Sequence, residues 1–111
     1  MSEFNDIERT KNVEEEFGVP TIPYFNRHFS QMIGEARINP GKAIEHSIKA
    51  EGALDVESIS SDIDAREVRP MFRSARSKII SGMYEGLIYT SKRIAKKLKK
   101  EGFAVSINVR K

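Results

Sequence analysis

The chain has 111 residues, 39% of them apolar and 32% charged, which bounds it to one domain with a modest core. It contains no cysteine, which excludes disulfides, thiolate nucleophiles and cysteine-based zinc sites and suits a reducing compartment. Its net charge of +3 hides two unlike halves: residues 1–65 carry six Lys/Arg against thirteen Asp/Glu, and residues 66–111 carry thirteen against three. Such asymmetry points to partners: the basic half can meet a polyanion, or the acidic half of its own or a neighbouring chain.

Residues 1–18 begin acidic and hold Glu14, Glu15 and Glu16 in a row. Phe4, Ile7, Val13 and Phe17 make no sustained apolar stripe, so a flexible arm is expected, acting either as a solvated tail or as a cover over a basic surface. No signal peptide is expected, and no apolar run approaches the roughly 20 residues that span a bilayer. The expected location is cytoplasmic, without membrane contact. Gly18, Pro20 and Pro23 mark a break, and a single domain is expected over 19–111.

The first convincing helix is predicted over 23–37, where Phe25, Phe29, Met32, Ile33 and Ala36 recur on one face and Thr21 can cap the start. Asn39, Pro40 and Gly41 interrupt it. A second helix is predicted over 42–51, capped by Asn39, with Ile44 and Ile48 inward and Gly52 as a left-handed stop. Residues 53–61 are ambiguous, and the alternation of Leu54 and Val56 makes 53–59 a candidate strand. A third helix is predicted over 65–85 from Met71, Phe72, Ala75, Ile79, Ile80, Met83 and Tyr84, with Pro70 in its first turn and Gly82 and Gly86 at its end. Arg69, Arg73 and Arg76 share one side of it.

Leu87, Ile88 and Tyr89 then suggest a short strand over 87–90. Thr90 or Ser91 can cap a basic helix over 91–101, with Ile94, Ala95 and Leu98 inward and Gly102 as the stop. Phe103, Val105, Ile107 and Val109 alternate with smaller or polar residues over 103–109, the pattern of a half-buried strand. Strand, helix, strand makes a βαβ unit. The predicted fold is therefore α+β: a small single domain, mostly helical, with a short sheet. Phe72, Ile79, Ile80, Leu98, Phe103, Val105 and Ile107 are expected in the core. Two short strands form a marginal sheet, so self-association is expected, through strand 103–109 or through Phe25, Phe29 and Met32.

Chemistry-bearing patterns are few. His28 and His46 have no metal-ligand spacing and are expected at the surface or rim. No phosphate-binding glycine loop and no nucleophile–base pair is present, so neither an enzyme nor a cofactor is expected, and no metal. The strongest feature is the basic helix: Lys92, Lys96, Lys99 and Lys100 fall on one exposed line, with Arg93 and Lys97 beside them. Such a face can neutralise several phosphates without reading sequence, although the same lysines also suit a solvated helix end, where the dipole favours cations. Arg69, Arg73 and Arg76 add guanidinium forks that fit phosphate or carboxylate. Tyr84 and Tyr89 can stack on bases or serve as rim residues of the core.

The stretch from Gly86 to Tyr89 and on through Lys97, Leu98, Lys99, Lys100, Glu101, Gly102, Phe103, Ala104 and Val105 resembles small phage-encoded accessory proteins of unassigned role. Their helix ends in leucine, two basic residues, an acid, glycine, an aromatic and a valine. The resemblance implies an accessory protein acting in the cytoplasm of an infected host and transfers no functional residue. The expected function is non-enzymatic binding of an anionic partner, foremost nucleic acid, DNA or RNA. The alternative is a protein-interaction module or inhibitor acting on a host protein, with oligomers formed by acidic–basic complementarity.

Overall fold

The computed structural model describes residues 21–61 and 66–105, which form four helices: α1 (Thr21–Glu35), α2 (Pro40–Ser61), α3 (Arg69–Ser81) and α4 (Tyr84–Lys100). No strand occurs among the described residues, so the architecture is all-α and the predicted α+β fold with its βαβ unit is corrected. The acidic arm 1–18, Ile107 and most of the predicted strand 103–109 lie outside the described residues. Each helix packs on the next in sequence: α1 on α2, α2 on α3 and α3 on α4.

The core begins with α1, whose apolar stripe behaves as its spacing predicts: Phe25, Phe29, Met32, Ile33 and Ala36 are all buried. Phe25 is the hub, with ring centroids 5.1 Å from Phe29, 6.3 Å from Phe72 of α3 and 5.1 Å from Phe103, the last two edge to face. These are the offset geometries that aromatic quadrupoles favour. The face expected to drive self-association is thus spent inside the chain.

Asn39 caps α2 as predicted: the Lys42 amide donates to its side-chain oxygen at 3.2 Å, and Pro40 fills the first helical position. The helix does not stop at Gly52, however, but runs on through the ambiguous stretch to Ser61. Its inward face is also rotated from the predicted one. Ala43, Ser47, Ala50 and Leu54 are buried at helical spacing, whereas Ile44 is half-buried and Ile48 exposed. Small residues let α1 and α2 approach closely, and that packing outweighs the helix cost of an internal glycine, about 1 kcal/mol.

The predicted helix over 65–85 is shorter. Phe72, Ala75 and Ile79 are buried, but Ile80 is 76% exposed. At Gly82 the backbone turns left-handed (φ 72°), and the Met83 amide closes the helix end by donating to the Lys78 carbonyl at 2.9 Å. A new helix starts one residue later. Leu87, Ile88, Thr90 and Ser91 belong to it, and they are buried on the same face as Ile94, Ala95 and Leu98. The predicted strand over 87–90 fails because its apolar residues continue the 3.6-residue period of the helix that follows. Thr90 and Ser91 are mid-helix rather than caps. Gly86 sits in the first turn of α4, where an added Cβ would meet the Lys78 stem at 2.9 Å.

At its other end α4 closes on Gly102 (φ 89°), as predicted. The Phe103 amide donates to the Leu98 carbonyl at 2.9 Å and the Gly102 amide to Lys99 at 3.0 Å. Leu98 and Phe103 are both buried, the apolar contact that accompanies this stop. Residues 103–105 then run back over α1, where the Asn26 side-chain amide donates to the Ala104 carbonyl at 3.0 Å.

Candidate nucleic-acid interface

The two faces of α4 are sharply different. Leu87, Ser91, Ile94 and Leu98 form its buried ridge, while Lys92, Arg93, Lys96, Lys99 and Lys100 are exposed. Lys92, Lys96 and Lys99 follow at i, i+4 and i+7, a line about 10 Å long at the helical rise per residue. None of these five cations forms an ion pair with another described residue. Lys97, half-buried, is the exception, paired with Glu67 ahead of α3. The chain stop at Gly102 and the burial of Leu98 hold the last turn, so the cations project from an ordered scaffold.

The arginine line of α3 divides. Arg76 bonds Glu51 of α2 at 2.9 Å and the Ser47 hydroxyl at 3.3 Å. Arg69 pairs with Asp55 of α2 and approaches Glu51 at 3.8 Å. Arg73 is exposed and has no ion pair among the described residues. Of the three, Arg69 and Arg76 are therefore engaged with α2, and part of the charge asymmetry seen in the sequence is resolved inside one chain.

Tyr89 lies one turn before Arg93 on α4, 65% exposed, with the guanidinium 5.9 Å from its ring centroid. It lines a groove of about 300 Å³ together with Arg37, Tyr84, Glu85, Ile88 and Lys92. Arg37 comes from the turn after α1, and its guanidinium lies 4.2 Å from the Tyr84 ring centroid, within cation–π range. Sequence reasoning passed over Arg37, since no local pattern links that turn to α4.

Of the two histidines, His28 departs from expectation, whereas His46 is half-buried at the rim. His28 is buried and stacks on His46 across the α1–α2 interface, with ring centroids 5.0 Å apart and the two Nδ1 atoms at 2.8 Å. Arg27 donates to His28 Nε2 at 3.4 Å, so that nitrogen is an acceptor and His28 carries its proton on Nδ1. Nδ1–H of His28 then donates to Nδ1 of His46. A second proton on His28 would set an N–H against the Arg27 donor. Burial, with the positive charges of Arg27, His46 and Lys49, lowers the His28 pKa to about 3. Burial and Lys49 lower that of His46, against the opposing pull of Glu35 and Glu45. The signal in the sequence was their position: His28 shares the inward face of α1 with Phe25 and Met32.

Among the described residues no group of three or more His, Cys, Asp or Glu could hold a metal ion, and no helix is long and apolar enough to cross a membrane. No family model, curated protein or solved structure matches the chain.

Proposed function

We propose that the protein is a non-enzymatic accessory factor that binds nucleic acid through the exposed cationic face of α4. The observation that carries this reading is the set Lys92, Arg93, Lys96, Lys99 and Lys100, exposed on one helix with no ion pair to another described residue. Such a face gains free energy by releasing the counterions condensed on a phosphate backbone, and that gain does not depend on base sequence. Four of the five are lysines, flexible point charges that suit a mobile phosphate more than a fixed fork-shaped acceptor. Exposed Arg73 can add a contact; Arg69, Arg76 and Lys97 are engaged elsewhere. The resemblance to phage accessory proteins makes the cytoplasm of an infected host the proposed setting.

Fluorescence anisotropy with labelled DNA and RNA at about 50 mM salt tests the reading, because electrostatic binding is strongest at low salt. Affinity should fall linearly with salt on logarithmic axes. Replacing Lys92, Lys96 and Lys99 together by Gln should flatten the slope by about one unit per lost phosphate contact. Absence of binding at that salt would overturn the nucleic-acid reading and leave a protein partner as the anionic ligand.

A further inference from the structure

The groove at the amino-terminal half of α4 differs in chemistry from the cationic line beyond it. Phosphate binding needs cations, yet this groove is also lined by an exposed aromatic ring, Tyr89, and by the apolar side chain of Ile88. The Arg37 guanidinium, laid against Tyr84, supplies a second flat surface. Guanidinium planes and aromatic rings are the two side-chain surfaces on which nucleobases stack. The volume of about 300 Å³ is at the small end of ligand pockets and suits one base, not a duplex edge. In a duplex the base faces are already stacked and only their edges open into the grooves. Glu85 disfavours a phosphate inside the groove but can accept N–H bonds from the edge of a base. Lys92, at the groove margin, begins the line that continues to Lys96 and Lys99.

We propose that this groove takes one unpaired base of a single strand, stacked on Tyr89 and on the Arg37 guanidinium, with the adjoining phosphates led along Lys92, Lys96 and Lys99. The inference rests on the nucleic-acid reading of α4 and adds to it a preference for single strands.

The test compares mixed-sequence single strands of about twelve nucleotides, DNA and RNA, within the usual site size of such binders, with the matched DNA duplex. Each is titrated by anisotropy at about 50 mM salt, where phosphate contacts are strong. The single strands should bind about tenfold more tightly than the duplex, the worth of one stacked base. Tyr89→Ala should abolish that preference, and Tyr89→Phe, which keeps the ring, should retain it. Arg37→Gln should weaken both single strands. The exposure of Tyr89 makes these variants safe for folding, which circular dichroism checks. Equal affinity for strand and duplex overturns the groove proposal, as does a full preference in Tyr89→Ala or its loss in Tyr89→Phe. In those cases the nucleic-acid reading of α4 still stands. Failure of the wild-type protein to bind any of the three overturns both.

Discussion

Helices α3 and α4 are both basic and both amphipathic, and along the sequence they invite the same interpretation. Their surroundings separate them. α3 lies against α2, which brings Glu51 and Asp55 within reach of Arg76 and Arg69. The outer face of α4 has no acidic element paired to it among the described residues. A run of positive charge is thus left open to a ligand only where the fold brings no carboxylate to it. The residue types fit the difference: arginine forks suit carboxylates fixed on a neighbouring helix, and lysines suit a ligand whose phosphates arrive in varied positions.

The support shared by the two helices offers the largest effect. Leu98→Ala should cost about 2–5 kcal/mol in urea denaturation, as a large-to-small change at a fully buried site. Ile80→Ala on α3, a site 76% exposed, should stay within about 0.5 kcal/mol. A loss at Leu98 as small as that expected at Ile80 would show that α4 is not held by its apolar ridge.

Acid probes the α1–α2 side while leaving both basic helices charged. His28 is neutral in the fold, with its pKa lowered from 6.5 to about 3, and becomes free to take up a proton on unfolding. Stability should therefore be complete above about pH 6.5 and decline as pH falls toward 3, by about 1.4 kcal/mol per pH unit from this ring. The lowered pKa of His46 adds in the same direction. Urea midpoints at about pH 7 and 5, above the usual carboxylate range, should differ far more in the wild type than in His28→Leu. Parallel declines would contradict the neutral pair.

Smaller still is the effect of releasing α3 from α2. Arg76→Gln should cost about 1 kcal/mol, since its pair with Glu51 is half-buried and hydrogen-bonded, and should leave the salt slope of nucleic-acid binding unchanged. The triple replacement of Lys92, Lys96 and Lys99 should do the reverse. Its stability should change by no more than about 0.5 kcal/mol, because these side chains are exposed, while the slope falls by about three units. If Arg76→Gln flattens the slope and the lysine variant does not, the roles of the two helices are exchanged.

How much of this was legible follows from what each residue reports. Strong apolar period and some special backbone residues were readable: the stripe of α1, the Asn39 cap and the helix stop at Gly102, whereas the left-handed stop expected at Gly52 is absent and the helix expected to reach residue 85 ends at Ser81. The face of α2 was misplaced because isoleucines outweigh alanines in any hydrophobic pattern, although close helix packing prefers the small side. Residues 87–90 suggested a strand because β-branched and aromatic residues cluster there. Only the continuation of their spacing into Ile94 and Leu98 exposes the helix. The cationic line of α4 was legible, since it lies on one element. The engagement of Arg69 and Arg76, the joining of Arg37 to Tyr84, and the meeting of His28 with His46 were not. Each depends on which elements become neighbours, which local spacing does not encode.

The bond from Asn26 to Ala104 joins residues 78 apart in sequence, and Phe103 enters the ring cluster beside it. Helical bundles fold quickly because their contacts are short-range, but this closure must wait for nearly the whole described chain to assemble. The segment after α4 thus acts as a latch that ties the end of that helix to α1. Backbone amides in the last turn of α4, which in an ordinary helix end fray at little cost, should exchange with solvent only as slowly as the core. Hydrogen-exchange mass spectrometry at neutral pH reads this directly, and fast exchange over 98–103 would mean that the lysines stand on a loose end. A latch of this kind keeps the cationic line in register before any ligand arrives, so binding need not bear the cost of ordering it.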